Sequence, residues 1–286
     1  MSDFFRPATL AEALEIRANH AAVPLAGGTD LLVRYRNWAG TLPKIEKPVV
    51  SVGHLSELRG ISVHQNGAAP DLSIGAGVTY GELLAHPQVP ELLKNSIWWL
   101  AAPGLRNVAT LAGNLCNASP AADAVCALYA LDATVDIAGA GGTRRVPVEE
   151  FITGPGRTVL RTDELVTAIH LRPDEGGVVF YQKVGTRKAN ALSKLSICAR
   201  ASVHAGVLES VGIAVGAVAP TIVRSRDIEA TLIGRPVSDI AAHAAEVVSR
   251  YEPLVRPISD QRSTAEYRKA TALGLIGRFL MERLTG

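Results

Sequence analysis

Two glycine-bearing segments decide the fold of this chain: Leu25-Ala-Gly-Gly-Thr-Asp30 and Thr110-Leu-Ala-Gly-Asn-Leu-Cys-Asn-Ala-Ser-Pro-Ala-Ala-Asp123. Glycine has no Cβ and enters left-handed backbone conformations freely, so consecutive backbone N–H groups in such segments can converge on one anion. Two segments of this kind predict that a diphosphate is held from two sides.

The residues around the first segment place it between a strand and a helix. Val23-Pro-Leu-Ala is predicted to be a strand, and Asp30 is positioned to cap a helix over Leu31–Asn37. The N–H groups of residues 27–29 would then meet the positive end of the helix dipole, which favours an anion. Taken alone, an Ala-Gly-Gly after a strand is more often a simple tight turn, and this alternative stays open at this point.

The second segment is dense in small hydrogen-bonding side chains beside the apolar run Ala121–Leu131, which is predicted to be a buried helix. Asn114, Asn117 and Ser119 can donate to phosphate or sugar oxygens without adding charge. The carboxylate of Asp123 suits hydroxyl groups and repels phosphate. This sorting of groups predicts a dinucleotide ligand, and the alternative for Asp123 is a helix-capping role near Pro120.

The charge and motif content of the chain argues against several function classes. With 29 basic and 27 acidic residues the net charge is +2, so there is no strong field for nucleic acid or an anionic membrane. The longest apolar runs, such as Val211–Ala219, are too short to span a bilayer. The sequence has no Gly-x-Ser-x-Gly elbow, no phosphate-binding P-loop and no His-Glu-x-x-His zinc motif.

The three cysteines, Cys116, Cys126 and Cys198, are widely separated and form no Cys-x-x-Cys pair. We therefore expect neither an iron–sulfur cluster nor a bound metal in this chain, and we expect the cysteines to be small buried residues. A reducing, cytoplasmic setting fits this usage best.

The pattern of the sequence changes near residue 177. Before it, strand patterns alternate with helical ones. After it come three β-rich runs and two helical stretches: Val178–Val184, Ser196–His204, Val211–Val218, Val237–Arg250 and Ser263–Arg283. Strands followed by helices predict a separate α+β unit with an antiparallel sheet. The link Leu171-Arg-Pro-Asp-Glu-Gly-Gly carries proline and paired glycines, so we place the domains at 1–176 and 177–286.

Four ordered motifs carry a family resemblance over essentially the whole chain. They are Pro24-Leu-Ala-Gly-Gly-Thr-Asp-Leu-Leu, Arg106-Asn-Val-Ala-Thr-Leu-Ala-Gly-Asn-Leu-Cys-Asn-Ala-Ser-Pro-Ala-Ala-Asp, Phe151-Ile-Thr-Gly-Pro-Gly-Arg-Thr-Val-Leu with Glu164-Leu, and Tyr181-Gln-Lys-Val-Gly-Thr-Arg-Lys-Ala-Asn-Ala-Leu-Ser. In this order they resemble the FAD-binding (medium) subunit of molybdenum hydroxylases. That family includes xanthine dehydrogenase and carbon monoxide dehydrogenase.

The resemblance implies an α+β protein with the FAD-binding PCMH-type fold, which is similar to that of vanillyl-alcohol oxidase. Two α/β subdomains, at about 1–55 and 56–176, would grip FAD. The C-terminal domain, 177–286, would resemble the CO dehydrogenase flavoprotein C-terminal domain. It would consist of a three-stranded antiparallel sheet with helices and would close over the flavin.

The resemblance also implies which residues contact the diphosphate of FAD. One side would be lined by Leu25, Ala26, Gly27, Gly28, Thr29, Asp30, Leu31 and Leu32, with residues 27–29 donating hydrogen bonds and Asp30 pointing away to cap the helix. The other side would be held by Thr110, Leu111, Ala112, Gly113 and Asn114, with Asn117 and Ser119 close by.

For the rest of the cofactor, the resemblance implies contacts with sugar and ring. Asp123 would contact the sugar or ribityl hydroxyls, and Leu165 would border the adenine or flavin pocket. Lys183 would reach the isoalloxazine edge, where its charge would favour the anionic reduced ring, and Leu192 would lie near the ring face. Leu100 stands where the xanthine dehydrogenases have an aromatic residue, so any stacking made there is absent.

The function implied is that of an oxidoreductase subunit. A large partner subunit would carry a molybdenum–pterin cofactor, and a small one would carry two [2Fe–2S] clusters. This chain would bind FAD, collect electrons from the clusters and pass them to NAD⁺ or another acceptor. The assembly would be a heterotrimer or a dimer of heterotrimers. FAD would be held non-covalently, because no histidine lies within either glycine segment.

Two alternatives come from other classes of protein. One is a stand-alone flavin reductase of the enolpyruvyl-UDP-GlcNAc reductase type, which needs its own substrate site and an active-site acid. The other is a non-catalytic module that binds a nucleotide within an assembly. Flavin content and partner chains in the purified protein separate all three.

Overall fold

The computed structural model describes residues 3–41, 44–66, 69–173, 176–188 and 190–284. The chain divides into two compact units. The first comprises Met1–Pro87, Ala102–Ala118 and Ala133–Arg172, and the second comprises Gln88–Ala101, Ser119–Asp132 and Pro173–Gly286. The predicted division at 1–176 and 177–286 is linear, whereas the second unit also takes in two stretches from the N-terminal half.

The strands, in chain order, are β1 (Phe4–Phe5), β2 (Val23–Leu25), β3 (Val49–Ser51), β4 (Ile61–Asn66), β5 (Ala69–Gly75), β6 (Thr134–Gly139), β7 (Gly142–Pro147), β8 (Ile152–Gly154), β9 (Arg157–Thr158), β10 (Leu165–Leu171), β11 (Val178–Gly185), β12 (Ser193–His204) and β13 (Val207–Gly216). The helices are α1 (Leu10–His20), α2 (Leu31–Arg34), α3 (Tyr80–Ala85), α4 (Glu91–Trp98), α5 (Pro103–Arg106), α6 (Leu111–Asn117), α7 (Asp123–Ala130), α8 (Val148–Phe151), α9 (Arg226–Ala230), α10 (Val237–Tyr251) and α11 (Ala265–Arg278). Ser56–Leu58 forms a 3₁₀ turn, and Phe279–Arg283 continues the last helix as a π-helical turn.

The first unit contains two main sheets. Strands β1, β3 and β2 form a parallel sheet, and β4, β5, β10, β6 and β7 form an antiparallel one, each in that order. Apolar and polar residues alternate along the central strands of the larger sheet, as expected when only one face of a sheet is packed. Their buried apolar residues include Leu72, Ile74, Val135, Ile137 and Ile169.

On the other face of this sheet the alternate residues are polar and bond across the strands. His170 of β10 lies between two carboxylates, with Nδ1 at 3.1 Å from Oδ2 of Asp71 and Nε2 at 2.8 Å from Oδ2 of Asp136. Arg145 of β7 donates to both oxygens of Asp136. These contacts tie four neighbouring strands together.

The second unit is built on the antiparallel sheet β11-β12-β13. One face packs against α10, α11 and the π-helical turn through a cluster that includes Phe180, Ile213, Val215, Ile276 and Phe279. Helix α7 lies against the same sheet, and all of its residues are buried. Small residues on β13 permit this approach, because a Cβ at Gly212 would lie 2.5 Å from the carbonyl oxygen of Ala130.

Most predicted elements are present, and the α+β class is confirmed. The buried helix predicted at 121–131 is α7, and the three β-rich runs are β11, β12 and β13. The helix predicted over Leu31–Asn37 is shorter and ends at Arg34. Strands β4 and β10 were not predicted. Two residues of the predicted link, Asp174 and Glu175, lie outside the described residues.

Among the described residues, no helix combines the length and the hydrophobicity that crossing a membrane requires.

Candidate functional site

The first glycine segment forms a turn between β2 and α2. Strand β2 ends at Leu25, whose carbonyl accepts from the N–H of Val52 at 2.9 Å. Gly28 has a φ of +70°, a left-handed conformation that favours glycine, and its carbonyl accepts from Leu32 N–H at 2.9 Å. Within the described part of the chain, the N–H groups of residues 27–30 have no acceptor. The turn therefore presents consecutive donors without protein partners.

Gly27 brings this turn against the backbone that leads into the second segment. A Cβ at Gly27 would lie 1.8 Å from the carbonyl oxygen of Val108, a distance that no side chain tolerates. Val108 lies two residues before the second segment, so the turn and the beginning of that segment are neighbours within the first unit. Glycine is required at position 27 for close approach, whereas it is favoured at position 28 for its dihedral angle.

The second glycine segment begins as a helix, α6, rather than as an open loop. Thr110 is the N-cap of α6, and its Oγ1 accepts from the N–H of Gly113 at 3.0 Å. The Asn114 N–H donates to the Thr110 carbonyl at 3.1 Å. The side chains of Leu111 and Ala112 are buried. The Gly113 N–H is therefore already engaged, while the buried Oδ1 of Asn114 has no hydrogen-bond partner among the described residues.

Asp30 does not cap α2 as predicted. It occupies the N-cap position, but its side chain makes no capping hydrogen bond. The reason is its helical backbone, with φ of −97° and ψ of −45°, since a capping residue needs an extended conformation to turn its side chain onto the next N–H groups. Partial burial raises the pKa of the Asp30 carboxyl, and the nearby Arg34 guanidinium opposes this rise.

Arg34 links the two segments and was not predicted. Its terminal nitrogen donates to Oδ1 of Asn117 at 2.8 Å, so α2 is joined to the end of α6. The amide oxygen of Asn117 is therefore engaged, and its NH₂ group is the part left for a ligand. The i,i+4 spacing of Asp30 and Arg34 indicates only that these two charges interact, so the sequence carried no signal for the contact with Asn117.

In the second unit, Asp123 and Lys183 form a buried ion pair. Lys183 Nζ lies 2.7 Å from Oδ2 of Asp123 and also donates to the Trp99 carbonyl at 3.2 Å. The hydroxyl of Ser193 donates to Oδ1 of Asp123 at 2.6 Å. The two charged residues had been predicted separately, and neither their pairing nor Ser193 was predicted. Asp123 is not a helix cap: Ala122 occupies that position, and no side-chain capping bond is made.

Two ionisable side chains near this pair, those of Tyr181 and Cys198, are kept neutral by burial. Burial, with a contribution from the Asp123 carboxylate, raises the pKa of Tyr181 far above its ordinary value, so its phenol stays neutral. Burial likewise raises the pKa of the Cys198 thiol. Asp123 and Lys183 are therefore the charged members of a site whose other groups are neutral.

The remaining predicted residues have different exposures. Leu192 is 72% exposed and is the last residue of the loop between β11 and β12. The Ser119 hydroxyl oxygen accepts from the Ala121 N–H at 3.3 Å. Leu165 is a buried residue of β10, and Leu100 is half-buried. Of these four residues, Leu192 has the most exposed apolar side chain.

Comparisons with known proteins identify the family of the chain. Residues 1–173 match the family described as the FAD binding domain in molybdopterin dehydrogenase, and residues 180–283 match the CO dehydrogenase flavoprotein C-terminal domain. The chain therefore belongs to the family of FAD-binding subunits of the molybdenum hydroxylases, which are oxidoreductases. The predicted family and its cofactor, FAD, are confirmed.

Individual relatives resemble the chain over nearly its whole length. The xanthine dehydrogenase FAD-binding subunit of Escherichia coli O157:H7 is 31% identical over 276 residues, which are 93% of this chain and 90% of that protein. The glyceraldehyde dehydrogenase medium chain of Sulfolobus acidocaldarius is 28% identical, covering 93% and 92%. A chain of the reconstituted CO dehydrogenase from Oligotropha carboxidovorans has a TM-score of 0.85 at 25% identity, covering 97% and 96%.

Proposed function

We propose that this chain uses FAD to collect electrons from the [2Fe–2S] clusters of a partner subunit and to pass them to NAD⁺ or another acceptor. FAD supplies the redox chemistry when bound, because it exchanges electrons both singly and in pairs. The work of the chain is to bind and orient the cofactor and to set the charge around it. Its family membership and the relatives described as a subunit and a medium chain support this role.

The observation that carries the proposal is the turn at Gly27 and Gly28. Its N–H groups have no protein acceptor in the described part of the chain, and the turn is pressed against Val108 by a contact that only glycine permits. Such a row of donors suits the oxygens of a diphosphate. We therefore assign residues 25–32 to one side of the diphosphate and residues 110–114 to the other.

The polar side chains of the second segment differ in whether they can donate or accept a hydrogen bond from the cofactor. The Thr110 hydroxyl can still donate its proton, since its oxygen is what accepts from Gly113. The buried Oδ1 of Asn114 is an acceptor without a partner, so it suits a hydroxyl or N–H of the cofactor rather than a phosphate oxygen. The NH₂ group of Asn117 and the Ser119 hydroxyl are further donors.

In the second unit we assign Asp123 to cofactor hydroxyls and Lys183 to the isoalloxazine edge. Two of the three ammonium donors of Lys183 are used by Asp123 and the Trp99 carbonyl, which leaves one for the ring. Because Asp123 compensates the charge, Lys183 would favour the anionic reduced ring less than an unpaired lysine would. Leu192, with its exposed side chain, is assigned to the ring face, and Leu100 to the cofactor position where aromatic stacking is absent. Leu165, in the first unit, stays a predicted border residue of the adenine or flavin pocket.

The partner subunits in this proposal are a large molybdenum–pterin chain and a small [2Fe–2S] chain, in a heterotrimer or a dimer of heterotrimers. The net charge of +2 gives no reason to add nucleic acid to the partners. A cytoplasmic location stays a prediction from the cysteine usage.

The binding half of the proposal is tested with Gly27→Ala and a matched control, Gly104→Ala. The new Cβ at position 27 would collide with the Val108 carbonyl, whereas one at position 104 would meet nothing within 4 Å. We expect Gly27→Ala to purify with little FAD and to bind added FAD at least about tenfold more weakly, since the turn must move. Gly104→Ala should keep wild-type FAD content. Equal FAD content in both variants would refute the assignment.

A further inference from the structure

We infer that Ser193 is a positioning residue of the FAD site, acting through Asp123 and Lys183. The inference rests on the proposed function, because it assumes that this ion pair contacts the cofactor. Ser193 is the first residue of β12 and was not among the predicted site residues. Ser193 is 1% exposed, and hydroxyl groups buried in this way are usually hydrogen-bonded.

Ser193 is held from two directions. Its hydroxyl donates to Asp123 Oδ1 at 2.6 Å, and its own carbonyl accepts from the Arg262 guanidinium at 3.3 Å. Arg262 is in turn fixed by Asp260, whose Oδ2 it approaches at 2.6 and 3.0 Å. The orientation of Ser193 therefore does not depend on Asp123 alone.

The sheet register also directs this side chain. Ser193 pairs with Gly185, and the register shifts between Val184 and Gly185 at the end of β11. Such an irregularity redirects a side chain at the end of a strand pair. Ser193 comes directly after Leu192. Its hydrogen bonds therefore also hold the end of the loop that carries this exposed residue.

The consequence is that both oxygens of the Asp123 carboxylate are fixed. Oδ1 accepts from Ser193 and Oδ2 from Lys183, so the carboxylate cannot rotate without losing a charge-assisted hydrogen bond. The ammonium of Lys183 is fixed in turn by Asp123 and the Trp99 carbonyl. Without the Ser193 hydroxyl, the Lys183 ammonium is held less firmly in place. The negative charge of the Asp123 carboxylate is also less well compensated.

The chain offers a matched control on the same strand. Ser196 is fully buried, and its Oγ has no hydrogen-bond partner among the described residues. Replacing Ser196 by alanine removes the same atom from the same kind of environment without breaking a hydrogen bond. The difference between Ser193→Ala and Ser196→Ala therefore isolates the bond to Asp123.

The test is a titration of the full-length apo-protein with FAD. We expect Ser193→Ala to raise the FAD dissociation constant roughly tenfold relative to Ser196→Ala, as for a lost hydrogen bond to a charged group. In an Asp123→Ala background, removal of the Ser193 hydroxyl should have no further effect, because the carboxylate that it holds is gone. The midpoint potential of bound FAD should be more negative in Ser193→Ala, since the carboxylate loses a compensating dipole.

Two results would overturn the inference. One is that Ser193→Ala and Ser196→Ala bind FAD equally with equal potentials. The other is that Ser193→Ala weakens FAD binding as much in the Asp123→Ala background as in the wild type. Failure of the proposed function looks different, because the wild-type chain itself would then take up no FAD in the same titration.

Discussion

Asp123 and Lys183 are separated by 60 positions in the sequence, yet their charged atoms are 2.7 Å apart and both side chains are buried. The attraction between two buried charges is largely offset by the loss of their hydration, so the pair contributes little net stability. Removing one member is costly, however, because the other charge is left buried without compensation. Two residues predicted for separate roles thus depend on each other.

Lys183→Met should therefore destabilise the chain even without cofactor. We expect the free energy of unfolding to fall by about 3–5 kcal/mol, because the Asp123 carboxylate would remain buried without its counter-ion. Chemical denaturation of the apo-protein measures this change. The double variant Lys183→Met with Asp123→Asn should recover part of the loss, since the buried charge is then removed as well.

Lys188→Met is the matched control, because Lys188 is exposed in the loop after β11. Its unfolding free energy should stay close to that of the wild type, within about 0.5 kcal/mol. If Lys183→Met were as stable as Lys188→Met, the ion pair would not be needed for the fold. The pair would then have to be explained by cofactor binding alone.

Residue type predicted part of the site, and backbone conformation decided the rest. Gly27 and Gly28 were predicted because glycine alone freely permits such close backbone contacts and left-handed turns. The capping role of Asp30 was wrong because it depends on φ and ψ, which sequence spacing does not determine. Ser193 could not be predicted, since a serine at the start of a strand has no distinguishing pattern and its partner lies 70 positions away.

Among the elements, helix α7 was predictable and the strand β10 was not. Apart from Asp123, the run Asp123–Ala130 is dominated by apolar residues on all sides, which is typical of a helix buried on all faces. Strand β10 lies in the middle of the five-stranded sheet, but its partners β5 and β6 come from distant parts of the sequence. Its polar residues Thr167 and His170 also interrupt the apolar run that would indicate a buried strand. In the structure both are accommodated by hydrogen bonds across the sheet.

The packing of α7 against β13 leads to a prediction about the stability of this layer. Gly212→Ala would put a Cβ 2.5 Å from the Ala130 carbonyl oxygen, and neither backbone can yield without moving the helix or the strand. We expect this variant to lose about 1–3 kcal/mol of unfolding free energy, the usual cost of overpacking. Thermal unfolding of the full-length protein measures the loss.

Gly274→Ala in α11 is the control for this change. A Cβ at Gly274 would meet nothing within 4 Å, so alanine should stabilise the helix by about 0.5–1 kcal/mol. The two substitutions therefore have opposite expected signs. If both variants unfolded at the same temperature, the close approach of α7 to β13 would not limit the size of residue 212.

For the molecule as a whole, the two family matches and the two structural units divide the chain differently. The first family match runs to residue 173, and the second begins at residue 180. In the structure, however, residues 88–101 and 119–132 belong to the second unit. Asp123 thus lies in the first matched region but in the same unit as Lys183. A linear boundary conceals this pairing, which is why the sequence predicted both residues but not their contact.

The proposed electron transfer makes a prediction about the complete assembly. A complex carrying Gly27→Ala in this chain should keep its iron–sulfur clusters but lose FAD, because the substitution affects only the turn against Val108. After reduction with dithionite, both this complex and the Gly104→Ala complex should transfer electrons to a one-electron dye. The Gly104→Ala complex should reduce NAD⁺ at the wild-type rate, whereas the Gly27→Ala complex should do so only to the extent that it retains FAD, since hydride transfer requires the flavin.

The rate of NAD⁺ reduction in the Gly27→Ala complex should therefore fall in proportion to its residual FAD. If oxygen is the acceptor, reoxidation with formation of peroxide should show the same proportionality. Added FAD should restore the rate to the extent that it rebinds, which separates loss of cofactor from loss of assembly. Undiminished NAD⁺ or oxygen reduction by a flavin-free complex would mean that electrons leave through a partner subunit, and this chain would then have no place in the transfer.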